Sequence, residues 1–170
     1  DALLALTLYD SPEEARALLD QLSRNPRVAF IHLYDTTESL KTALGALGTL
    51  DHQLDGQFNT PEAVKGLEFV SVCVVGASRL VSRLSADRAA RDPLEFRLDV
   101  NRLRVAMSRA VEHLVFIERR DEVDDELRVL IGGEASKSGW HTHISTITAE
   151  GKREGLILDA ETILTVLAPH

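Results

Sequence analysis

The chain has 170 residues, 44% of them hydrophobic and 27% charged, with a formal net charge of −8. That length holds one domain with a single sizeable core, and the balance excludes a disordered or fibrous chain. The acidity argues against a free-standing nucleic-acid binder, no apolar run nears the roughly 20 residues of a membrane helix, and no N-terminal stretch has signal-peptide form.

In chain order, Leu3 to Leu8 reads as a short strand. A helix start follows, with Ser11 as cap, Pro12 in the first turn and Glu13 and Glu14 near the positive end of the helix dipole. Ala15, Leu18, Leu19 and Leu22 recur at helical spacing until Asn25-Pro26 breaks the pattern. Val28 to Tyr34 is a strand, apolar apart from His32, and Thr36 to Ser39 opens a second helix carrying Leu40, Ala43, Leu44 and Leu47. A short strand is expected near Gln57-Phe58 and a longer one over Phe69 to Val75. Residues 79–109 read as mostly helical with a break near Asp92-Pro93, followed by a strand over Glu112 to Glu118 and a helix over Val123 to Ile131. A polar loop over 132–139, an edge strand or hairpin over His141 to Thr148, a strand at Leu156 to Leu158 and a helix over Ala160 to Leu167 complete the chain.

Strands apolar on both faces, alternating with helices, predict an α/β domain around a mainly parallel sheet. The single cysteine, Cys73, lies inside the run Val70 to Val75 and reads as a small buried residue, which fits a reducing, cytoplasmic setting. Trp140 reads as a packing residue, and His141 and His143, without a third ligand at useful spacing, read as ordinary residues of an exposed strand.

Charge is unevenly spread. Residues 60–119 carry ten basic against eight acidic side chains, whereas the segments on either side are strongly acidic. Nine of those ten cations are arginine, the better bidentate partner for phosphate. Arg79, Arg83, Arg88 and Arg91, interleaved with Asp87 and Asp92, read as a solvated helix face.

Two stretches in this segment carry chemistry. In Asn59 to Phe69, Thr60 and the backbone around Pro61 belong at the carboxyl end of a strand, where open α/β sheets place ligands. Gly66 allows a close turn, Lys65 offers a cation, and Glu68 can accept hydrogen bonds from a sugar hydroxyl. In Arg102 to Ala110, Val105 and Ala106 pack inward and Arg109 closes a helix just before a strand. An arginine so placed can stabilise charge on a transferred phosphoryl group.

Lys65-Gly66-Leu67-Glu68-Phe69 resembles the KGLEF core of motif V, and Val105-Ala106-Met107-Ser108-Arg109-Ala110 the VALTRA core of motif VI, of the UvrD/Rep-type superfamily 1 DNA helicases. The resemblance implies the second RecA-like domain (2A), a three-layer fold over residues 1–131, with 132–170 as an extension packed on the same domain. It implies ATP and Mg²⁺ as cofactors, with Arg109 at the γ-phosphate and Glu68 and Gly66 at the nucleotide. Thr60 and Lys65 would lie near a single-stranded DNA path.

The chain departs from the pattern at three places. Glu62 stands where motif V usually has histidine, and an acid there would repel a DNA phosphate. Arg104 replaces a common aromatic residue of motif VI, and Ile31 to Asp35 lacks the arginine usual in motif IV. Only about 25 residues separate that strand from motif V, too few for the large insertion of Rep and UvrD. No GxxxxGK[ST] loop occurs, so the phosphate-cradling half is expected in an N-terminal RecA-like domain of the same polypeptide, and the chain alone is expected to turn over no ATP. The alternative is a degenerate helicase-like domain acting as a protein-interaction or regulatory module, with the acidic flanks facing a protein partner.

Overall fold

The structure, a computed structural model, describes residues 3–45, 57–86, 92–132, 139–140, 144 and 154–168. Arg88, Arg91, His141, His143, Leu47 and most of the 132–139 and 141–148 segments lie outside the described residues. The elements are β1 (Leu3–Tyr9), α1 (Pro12–Leu22), β2 (Val28–His32), α2 (Thr37–Leu44), β3 (Phe58–Asn59), β4 (Phe69–Val75), α3 (Ala77–Ser85), α4 (Pro93–Ser108), β5 (Ala110–Arg119), α5 (Asp125–Ile131), β6 (Glu154–Ile157) and α6 (Ala160–Val166).

Local signals set the helix starts. Ser11 Oγ accepts from the Glu14 N–H, and Glu14 Oε2 accepts from the Asp10 N–H, a reciprocal cap that satisfies two orphan donors. Thr36, Asp92, Asp124 and Asp159 cap α2, α4, α5 and α6, each with a side-chain oxygen that accepts from a main-chain N–H of the first turn.

The six strands form one sheet in the order β3-β2-β4-β5-β1-β6, and every pairing is parallel. Such a sheet must be covered on both faces. Alternate residues divide accordingly: Leu4, Leu6, Ile31, Val72, Val74, Leu114 and Phe116 meet α3, α4 and α5 on one side. Ala5, Phe30, Cys73, Val75, Val115 and Ile117 meet α1, α2 and α6 on the other. The result is a three-layer α/β fold, the architecture expected of a RecA-like domain.

The segment after α5 joins the same body. β6 pairs with β1, Trp140 and Ile144 are buried under the α3–α5 layer, and Ile163 and Leu167 pack on the opposite face. The Trp140 indole N–H donates to Ser85 Oγ at 3.2 Å, so the ring is a packing residue. Cys73 is fully buried, and burial pushes its thiol up to about 12. Among the described residues no helix is long and apolar enough to cross a membrane.

Candidate functional site

The two motif stretches occupy both ends of the sheet. Register places Asn59 beside Ile31, and Ile31 beside Val74, so Thr60 leaves β3 level with the carboxyl ends of β2 and β4. The chain then returns through a 3-10 turn at Glu62–Val64 to enter β4 at its amino end. Phe69 pairs with Ala110 there, which puts Glu68 level with Arg109. At about 3.3 Å per residue the length of β4 separates Thr60 from the Glu68–Arg109 level by roughly 20 Å. The sequence reading set ligands at the carboxyl end; Thr60 lies there, whereas Gly66, Glu68 and Arg109 gather at the amino end.

At that amino end, Arg109 is held by both its backbone and its side chain. Its carbonyl accepts from the Phe69 N–H at 2.8 Å, and its guanidinium donates to Leu67 O at 3.3 Å and to Ser108 Oγ at 2.8 Å. A guanidinium has five N–H donors. Two are used here, leaving one N–H on each terminal nitrogen without a protein acceptor among the described residues, while Nε, also without one, is buried. Gly66 has φ +81°, a left-handed conformation that L side chains adopt only under strain, and it delivers Leu67 O to Arg109. Lys65, Leu67 and Glu68 are exposed, and neither Lys65 nor Glu68 has a polar side-chain partner among the described residues. An anchored guanidinium with spare donors, beside an exposed cation and an exposed carboxylate, is suited to a ligand that is both anionic and hydroxylated.

At the carboxyl end, Glu62 is paired. Its Oε1 lies 3.0 Å from Arg102 Nε, and Arg102 also donates to Tyr34 O at 3.1 Å. The acid at position 62 is thus neutralised by a residue from α4. Arg83 contradicts its reading as a solvated cation: it meets Asp35 at 3.1 Å and Asp99 at 3.2 Å. The physical reason is that α3 packs against α4, which brings Asp99, only 13% exposed, within its reach. Arg79 lies over the Tyr34 ring, 5.9 Å from its centroid. The Arg102–Glu62 pair is half open to solvent, so it adds at most about 1 kcal/mol to stability. Its effect is chiefly on position. Arg102 opens the stretch Arg102 to Ala110, but nothing in its neighbours in sequence signals Glu62 as its partner.

The crevice between β2 and β4, where the flanking helices go to opposite faces, is filled by the chain itself. Glu118, buried at the end of β5, accepts from the N–H groups of Gly76 and Ser78 and from Ser78 Oγ. A helix N-terminus that would attract an anion is therefore already filled by a carboxyl group. Burial raises the Glu118 carboxyl to about 8, against the pull of its donors, with Glu122 adding repulsion. The Tyr34 ring covers Gly76, whose φ is +81°; a Cβ there would come within 2.9 Å of the ring. Burial also raises the phenols of Tyr9 and Tyr34, and it lowers His32, as does the Arg102 charge.

Sequence order gave no sign of one further pair. Ser71 Oγ and His113 Nδ1 lie 2.8 Å apart across β4 and β5, brought together by register over 42 residues. Among the described residues no three His, Cys, Asp or Glu side chains are placed to hold a metal ion. Compared with protein-family models and with curated proteins, the chain matches none.

Proposed function

We propose that this chain is the C-terminal motor domain of an ATP-dependent superfamily 1 DNA helicase or translocase, completing an ATP site against a second RecA-like domain. The observation that carries the reading is Arg109, fixed by Leu67 O and Ser108 Oγ with one further N–H on each terminal nitrogen unused. That donor set fits a phosphate group. In this reading Arg109 faces the γ-phosphate, Glu68 accepts from the ribose hydroxyls, and Gly66 lets the main chain come close. ATP supplies the phosphoryl group, and Mg²⁺ would be held by the partner domain. Thr60 is the proposed contact to a single DNA strand, with Lys65 an added cation along the same segment. Pairing of Glu62 with Arg102 removes the main electrostatic objection to a strand at that end, so the motor is preferred to a degenerate interaction module. A cytoplasmic setting goes with it.

The test is Arg109→Ala in the full-length protein. DNA-stimulated ATP hydrolysis should fall by a factor on the order of 10³ or more, with the thermal unfolding midpoint retained. Unchanged turnover would remove Arg109 from the site and return the interaction module to first place.

A further inference from the structure

Arg102, in the C-terminal half of α4, and Arg109, its C-cap, are seven residues apart, about 10 Å along the helix axis, and both reach the segment 60–68. Arg102 takes Glu62 on the carboxyl-end side, and Arg109 takes Leu67 O at the amino end. Between these points the segment is continuously tied. Val64 is buried in the core, its N–H donates to Pro61 O, and its carbonyl accepts from the Leu67 N–H at 3.0 Å. The atom that orients the Arg109 guanidinium therefore sits on a turn whose other end is held by Arg102. Arg102 is fixed in its own right by Tyr34 O at the end of β2.

We propose that Arg102 is a positioning residue: through Glu62 it sets the 62–67 turn, and through Leu67 O it sets Arg109. The helix and the segment then move as one two-point clamp spanning both ends of the sheet, and a shift at Thr60 reaches Arg109. The effect on turnover rests on the motor reading; the clamp itself does not. Arg102 touches neither nucleotide nor strand in this scheme.

The experiment uses Arg102→Gln, Glu62→Gln, the double variant and the charge swap R102E/E62R in the full-length protein. Steady-state ATP hydrolysis is measured with a thymidine oligonucleotide, and hydrogen exchange is followed at the Leu67 amide. Each single variant should lower kcat roughly 3- to 30-fold with KM for ATP little changed, and should speed exchange at Leu67 while exchange in β1 and β4 is retained. The double variant should be no worse than either single one, and the swap should recover part of the loss. Wild-type kcat together with wild-type exchange in Arg102→Gln would overturn the clamp, as would additive losses in the double variant. Should Arg109→Ala leave turnover unchanged, the motor reading falls on its own. The Leu67 exchange then decides the clamp, with faster exchange supporting it and unchanged exchange overturning it.

Discussion

Glu118 Oε1 lies 2.6 Å from the main-chain nitrogen of Ser78, which ties the end of β5 to the first turn of α3. This contact holds a titratable group inside the fold, and its consequence is a pH dependence of stability. Burial lifts the carboxyl from an ordinary 4.5 to about 8, so between those values the folded chain binds a proton that the unfolded chain releases. Stability from this group therefore falls as pH rises, by at most roughly 1.4 kcal/mol per unit. His32 acts in the opposite sense around and below 6.5, because its lowered affinity in the folded state leaves the unfolded state binding more of that proton. From pH 6.5 to 8 that opposition fades while Glu118 continues to act. Urea midpoints should decline over that window, and Glu118→Gln should flatten the decline.

Gly66 and Gly76 share φ +81° but differ in surroundings. No atom lies within 4 Å of a Cβ built at Gly66, so Gly66→Ala should cost only the backbone strain, about 1 kcal/mol. At Gly76 the added methyl also meets the Tyr34 ring, and the loss should be clearly larger. Equilibrium unfolding of the two variants compares them directly.

Arg109→Lys separates charge from geometry. A lysine keeps the cation but cannot donate to Leu67 O and Ser108 Oγ while presenting a planar fork to a ligand. In the motor reading ATP turnover should stay close to that of the alanine variant. A lysine enzyme near wild type would show that charge alone suffices.

Ser11→Ala should lower stability by about 1 kcal/mol, since it removes the acceptor for the Glu14 N–H while leaving the core untouched. Thermal unfolding measures this, and Leu80→Ala, at a fully buried site, sets the scale at roughly 2–5 kcal/mol.

Features set by near neighbours were legible in the sequence. The Ser11-Pro12 start of α1 and the full extent of β4 follow from capping chemistry and an apolar run. Less exact were β2, which ends at His32 rather than Tyr34, and β5, which starts at Ala110 rather than Glu112. Strand ends depend on the neighbouring strand: Phe69 bonds to Arg109 and so extends β5 backward. Non-local relations were not legible. The insertion of β1 between β5 and β6 depends on pairings across more than a hundred residues. Arg102–Glu62 is joined only by packing of a helix on a turn. Glu118 ends an apolar strand, where an acid ordinarily meets water; only the fold shows that it faces a helix start instead.

Trp140 is the chain's one tryptophan, and it lies fully buried with its indole bonded to Ser85. All indole emission thus comes from a single seam, between α3 and the segment that follows α5. The protein carries its own optical reporter there. A red shift on warming or on ligand addition would time the release of that seam against loss of helix seen by circular dichroism, with no label attached.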